Sequence, residues 1–229
     1  MTKVGREIEK HPSEGLRRGE MHMAFARATH IVLVVAALAA AVLSGCGAAR
    51  PSKYYELTVP GETSGARPTD STAVSLLIGN WSASHLYRDD RIVYGSTGEE
   101  MGTYEYERWA EPPAEMIEEV LLRELRASGR YRAVHSRRSN ANGDFLLRGR
   151  LYDLKEVTGG AILARVTFEV ELRDLKTATT VWTHYYTHDE PVNGKSVANV
   201  VSALDKNVQQ GVKEVVAGLD QYFAAHPVK

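Results

Sequence analysis

Residues 31–43 are uncharged and apolar from Ile31 to Leu43, and they end three positions before Cys46, the only cysteine in a chain of 229 residues. As a helix this run measures about 20 Å at 1.5 Å per residue. A bilayer's hydrocarbon core is roughly 30 Å thick, so the run is too short to span it comfortably. It has the length of a signal-peptide apolar region, with small residues Ser44 and Gly45 at the cleavage position. A lone cysteine closes no disulfide within its chain, and no CxxC or Cys/His cluster is present to hold a metal. The run therefore separates residues 1–45, read as a signal peptide with a dispensable N-terminal extension, from the part that must fold.

Leu43-Ser44-Gly45-Cys46 resembles the bacterial lipobox, in which cysteine becomes the first residue of the mature protein. The resemblance implies a diacylglyceryl group on the Cys46 sulfur, cleavage before Cys46, and a further acyl chain on the new amino group. One acyl chain holds a protein only marginally at a membrane, whereas two or three hold it stably. Residues 1–20 fit a signal poorly, because they carry four glutamates. A start at Met21 or Met23 leaves a short n-region with Arg27 as its positive charge. In the enterobacterial sorting pattern, aspartate after the lipidated cysteine retains the protein at the inner membrane. Gly47 stands there, so outer-membrane anchoring on the periplasmic side is expected, with the inner membrane as the alternative.

Without residues 1–45, 22 basic residues face 25 acidic ones, and no basic stripe supports nucleic-acid binding. No later apolar run approaches the ~20 residues of a membrane helix. Residues 46–53 read as a lipid-anchored tether, and residues 54–229 as one domain on it. The Gly/Ser/Thr/Pro-rich stretch 61–72 reads as a loop.

Strands are expected at 54–59, 74–78, 91–95, 103–109, 145–154, 162–173 and 181–187. The clearest is 162–173, where Ile162, Ala164, Val166, Phe168, Val170 and Leu172 alternate with Arg165, Thr167, Glu169, Glu171 and Arg173. Pro112-Pro113 opens a helix whose buried stripe is Ile117, Val120, Leu121 and Leu125, with Gly129 as C-cap. A second helix is expected over 196–225, with apolar residues from Val197 to Phe223 at helical spacing. These elements predict a single α/β (α+β) domain: a mixed, mostly antiparallel sheet packed by two main helices, including a long C-terminal one.

The segments "SKYYELTVP", "HLYRDDRIVYGSTGEEMGTYEYERWAEPP", "EMIEEVLLRELRASGRYRAV" and "DFLLRGRLYDL", in that order, resemble the ABC-type transport auxiliary lipoprotein family (PqiC-like). The most specific pieces are Tyr55, Leu57, Leu86, Ile92-Val93-Tyr94 and Trp109-Ala110-Glu111-Pro112-Pro113. The resemblance covers nearly the whole mature chain. It implies a non-catalytic accessory lipoprotein working with an MCE-domain protein and an ABC permease/ATPase in lipid transport between Gram-negative membranes, with no cofactor. An assembly or structural (pilotin-like) lipoprotein of another envelope complex is the alternative.

Two readings compete for Trp109-Pro113. In one, the tryptophan caps the core and the prolines start a helix; in the other, it anchors a partner interface. Tyr54, Tyr55, Tyr87, Tyr94, Tyr104 and Tyr106 crowd the same half, as an aromatic surface or as cross-strand packing. The candidate partner-binding residues are Tyr87, Arg88, Tyr94, Trp109, Pro112 and Pro113, and a homo-oligomer is a further expectation. No GxSxG elbow, P-loop or GxGxxG occurs. His184 and His188 fall on one strand face roughly 13 Å apart, too far to share a metal.

Overall fold

The computed structural model describes Val34 and residues 50–61, 72–79, 81–96 and 100–227. The chain divides into two units, 1–50 and 51–229. Apart from Val34, the expected signal segment lies outside the described residues, as does Cys46. In the second unit the elements run β1 (Lys53–Tyr55), β2 (Thr72–Ile78), β3 (Ser82–Ala83), β4 (Arg91–Ser96), β5 (Met101–Trp109), α1 (Pro113–Ala127), β6 (Tyr131–Ser136), β7 (Phe145–Thr158), β8 (Leu163–Asp174), β9 (Thr180–Pro191) and α2 (Val197–Ala225).

Among the described residues, nine strands join one sheet built around β7, the longest of them at 14 residues. One edge of β7 pairs antiparallel with β8 along almost its whole length, and β8 pairs antiparallel with β9. The opposite edge is shared by three short strands, all parallel to it: β2 beside Phe145–Leu147, β3 beside Arg150 and Leu151, and β4 beside Lys155–Thr158. Residues 76–78, 82–83 and 93–96 thus follow β7 like one interrupted strand. A 3-10 turn, His85–Tyr87, occupies the gap between β3 and β4. From β2 the sheet continues to parallel β6; from β4 it continues to antiparallel β5 and then to parallel β1. The expected mixed α/β domain is what forms. The long β7–β8–β9 ladders are antiparallel, while the short strands are mostly added in parallel.

Both helices pack on one face of this sheet and on each other. Alternation decides that face: Ala164, Val166, Phe168, Val170 and Leu172 of β8 are all fully buried, beneath α2. α1 starts as the prolines dictate. Pro113 sits in the first turn, where a missing N–H costs nothing, and the Pro112 carbonyl accepts from the Glu115 and Met116 N–H groups (2.9 and 3.2 Å). The helix ends before Gly129, whose φ of +64° is the left-handed conformation of a helix stop. α2 starts with a reciprocal cap: the Ser196 side chain accepts from the Asn199 N–H, and the Asn199 side chain accepts from the Ser196 N–H.

α2 lies close to the sheet because Gly211 has no side chain. A Cβ there would approach the rings of Phe168 and Tyr186 to 2.8 Å. One turn earlier on the same face, the helix is pinned by Asn207, only 1% exposed, whose Nδ2 donates to the carbonyls of Ala164 (2.8 Å) and His188 (2.9 Å). Its Oδ1 accepts from the Tyr186 hydroxyl at 2.6 Å. A strap completes the helix's outer contacts. β1 is shorter than the expected strand 54–59, because Leu57 turns into the core (3% exposed). Thr58 then binds Asp205 through its N–H (2.9 Å) and hydroxyl (2.7 Å), while Gln209 donates to the Thr58 carbonyl (2.6 Å).

Candidate functional site

The residues expected to form a partner surface separate into two groups. Tyr87 (2% exposed) and Trp109 (0%) are core side chains, and Pro113 is buried in the first turn of α1. Burying rings of this size is among the most favourable ways to fill a core. The expected surface is therefore corrected: Tyr87, Trp109 and Pro113 stabilise the fold and present nothing to a partner. Tyr87 plugs the gap between β3 and β4, and its hydroxyl donates to Asp153 Oδ1 (3.1 Å). Burial and the Asp153 carboxylate push this phenol well above its ordinary range.

Arg88 and Tyr94 are exposed, and Pro112 is half-buried. Arg88 Nε donates to the Ala83 carbonyl (3.1 Å). Tyr94 lies over Gly102 with its ring 5.0 Å from that of Tyr104, so the hairpin tyrosines pack across strands. Tyr104 in turn donates to Glu156 Oε2 (2.6 Å), a carboxylate buried to 5% exposure.

The larger feature is the face of β7–β8–β9 turned away from the helices. In β7 the register slips between Leu151 and Asp153, so Tyr152 is the extra residue of a β-bulge. The slip lets Tyr152 and Asp153, adjacent in sequence, both line the outer face. Two recesses meet at Tyr152. One, about 390 Å³, is floored by Arg148, Arg150, Glu169 and Glu171. The other, about 690 Å³, is bounded by Asp153, Arg165, Tyr185 and Asp189. Tyr152 and Tyr185 stand 6.2 Å apart, and the Arg150 guanidinium lies 5.3 Å above the Tyr152 ring.

Charges on this face are matched in pairs. Arg148 binds Glu171 (2.6 Å), Lys155 binds Asp153 (2.8 Å), and Arg165 grips Asp189 with two bonds of 2.7 Å. The Arg165 hydrogen bonds hold the Asp189 carboxyl below its ordinary 3.8. A depressed carboxylate stabilises the fold above its ordinary range, and that contribution disappears as pH falls through the folded-state value. Arg165→Ala is accordingly expected to lower the thermal midpoint at pH 7, and to matter progressively less as pH falls below the ordinary carboxylate range. Both side chains are about one-third exposed, so solvent holds the loss to about 1 kcal/mol or less. Melts of both proteins from pH 2 to 7 check this; a constant difference across the range would refute it.

Among the described residues, no group of three or more His, Cys, Asp or Glu is placed to hold a metal ion. His184 stacks on Trp182 at 5.8 Å and 7°. The outer face combines tyrosines and arginines, residue types favoured at protein–protein contacts, with paired carboxylates around shallow recesses. Sequence alternation does reveal its charged positions on β8. Alternation also sets Tyr152 on one face with Arg148 and Arg150; what it misses is that Asp153 shares that face, because the bulge at Tyr152 breaks the period-two pattern there.

A family whose members are described as ABC-type transport auxiliary lipoprotein components matches residues 55–216. The chain belongs to this ABC-type transport auxiliary lipoprotein family. Protein XCC0632 from Xanthomonas campestris, a DUF330 protein of solved structure, shares the fold at a TM-score of 0.62. It is 22% identical, over 72% of this chain and 92% of its own. A second solved structure, of an uncharacterized protein, superposes at 0.59 with 12% identity, over 74% of this chain and 99% of its own. No curated protein sequence matches this chain. Among the described residues, no helix is long and apolar enough to cross a membrane.

Proposed function

We propose that this chain is an outer-membrane-anchored periplasmic lipoprotein, serving as a non-catalytic accessory of an ABC/MCE-type intermembrane lipid transport system. One observation carries the reading: the family match spans 55–216, nearly all of the folded unit, and begins nine residues after the lipobox cysteine. The tether of residues 47–52 stretches to at most ~20 Å at 3.3–3.6 Å per residue, which keeps the domain near the membrane that holds Cys46. In this reading the domain docks the distal end of an MCE-type shuttle or tunnel against the outer membrane. Exposed Arg88 and Tyr94, together with half-buried Pro112, remain the candidate contact residues.

The experiment combines three measurements on the protein in its own cells. Wild type is expected to incorporate a palmitate analogue, to fractionate with outer-membrane markers, and to co-purify with an MCE or ABC component. Cys46→Ala is expected to remain an unlabelled, uncleaved precursor. Labelling of Cys46→Ala at the wild-type level would refute the anchor, and fractionation with inner-membrane markers would refute the address. Absence of any MCE or ABC partner would remove the transport role itself. Stable Arg88→Ala and Tyr94→Ala proteins that still bind would exclude those two residues as the contact.

A further inference from the structure

Three cation–carboxylate pairs stand directly opposed across the ladders of the outer face: Arg148 and Glu171, Arg150 and Glu169, and Arg165 and Asp189. The first closes at 2.6 Å and the third with two bonds of 2.7 Å. The second stays open. Backbone position does not explain the difference. The Leu175 N–H donates to the Asp144 carbonyl (3.0 Å), one step before Phe145 opposite Asp174. Bonded and non-bonded pairs alternate along an antiparallel ladder, so Arg148–Glu171 and Arg150–Glu169 are both of the bonded kind.

The neighbouring ring accounts for the open pair. Arg150 runs along its own strand and lays its guanidinium 5.3 Å from the centre of the Tyr152 ring. Among the described residues, Glu169 has no ion pair or hydrogen bond, and Arg150 has no partner but that ring. Both line the recess of about 390 Å³, together with Ser82, Arg148 and Glu171. The Arg148 guanidinium there is incompletely satisfied: Nη2 binds Glu171, but Nε is shielded from solvent and has no acceptor among the described residues. Buried polar atoms are rarely left in that state. The recess thus holds, side by side, cations short of an anion and an anion short of a cation.

We propose that this recess binds a free α-amino acid, its carboxylate on Arg150 and Arg148 and its ammonium on Glu169. A lone anion or a lone cation would satisfy one side and leave the other unpaired. Opposed bonded residues have Cα atoms about 5.5 Å apart, so the two side chains rise from neighbouring points. The ligand must therefore hold its own opposite charges close together. An α-amino acid separates them by a single carbon, whereas a phosphoethanolamine group spreads them over a longer chain. A guanidinium suits the carboxylate end, which it can grip with paired, charge-assisted hydrogen bonds. The ligand's side chain lies toward Tyr152, where this recess meets the larger one beside Tyr185, and two rings 6.2 Å apart favour an aromatic side chain there. The inference does not rest on the transport reading, and its test uses soluble probes alone.

The test is calorimetric titration of the full chain, purified in detergent, with L-phenylalanine. An open recess and a small ligand set the expected Kd on the order of 1 mM. N-acetyl-L-phenylalanine lacks the ammonium and L-phenylalaninamide lacks the carboxylate. Each is expected to bind roughly tenfold more weakly or worse, the worth of one charge-assisted hydrogen bond. Arg150→Gln and Glu169→Gln are expected to weaken L-phenylalanine binding to the same degree without lowering the thermal midpoint, since neither residue is ion-paired. The analogue series uses the unaltered chain, so it decides the question even where a variant melts early. No saturable binding of L-phenylalanine up to about 50 mM would overturn the proposal. So would an analogue that binds as tightly as the free amino acid, tighter binding of phosphoethanolamine, or undiminished binding by either variant.

Discussion

Replacing Gly149 with alanine is expected to lower stability by about 3 kcal/mol, the upper end of what overpacking a core costs. Gly149 sits at the middle of β7, opposite Val170 of β8, and the Trp81 ring lies directly on its Cα. A Cβ there would come within 3.0 Å of three ring atoms, closer than real Cβ atoms approach anything. Neither side can yield easily. The strand is held by ladders on both edges, and the Trp81 ring packs edge-on against Phe168 at 5.7 Å. For a domain of this size the loss corresponds to a fall of roughly 6–12 °C in the thermal midpoint. The control is a double-mutant cycle with Trp81→Ala. With the ring removed, Gly149→Ala should cost little; an equal cost in both backgrounds would refute the explanation.

Asn207→Leu is the second large effect, expected at about 2–4 kcal/mol despite leucine's good fit to a helix interior and its hydrophobicity. The amide makes three hydrogen bonds in a site with almost no water access. Leucine leaves the Tyr186 hydroxyl without its short acceptor and removes both donors from the β8 and β9 carbonyls. Burial already raises the Tyr186 phenol to about 12, so ionisation offers no relief near neutral pH. The Ala164 and His188 carbonyls keep their ladder bonds, which sets the cost below that of fully orphaned groups. Denaturant titration checks this: a loss under about 0.5 kcal/mol would show that Asn207 is not the pin described.

Legibility in the sequence followed regularity. β8 was readable because its apolar residues alternate without a break, and α2 because its stripe repeats for eight turns from Val197 to Phe223. The pattern reveals β7 only as far as Leu154, four residues short, because the bulge at Tyr152 reverses the phase and "KEVT" no longer continues the alternation. β6 escapes a reading by pattern: "YRAVHS" has three polar residues, Arg132, His135 and Ser136, among six, and β2 supplies the pairing that makes it a strand. β3 is two residues long and exists only because β7 lies beside it. At the candidate site, "Trp-Ala-Glu-Pro-Pro" carries the same letters whether the ring packs inward or outward. What settles Trp109 is the backbone: its N–H donates to the Asp90 carbonyl, and the following Ala110 N–H donates to Tyr55. Those contacts join residues distant in sequence, so no local pattern announces them.

The strap at Thr58 changes how this domain carries load. Whatever pulls on the chain at Pro51 acts first on the three-residue strand β1, which alone would peel from β5. Directly behind it, Thr58 is fastened to Asp205 and Gln209 in the middle of a 29-residue helix. Tension entering at the domain's first residues is thus handed across to its last element, and from there to the sheet through the Asn207 pin. The beginning and end of the fold are mechanically one joint: a pull at Pro51 can peel β1, but it must move the longest helix before unravelling passes Thr58.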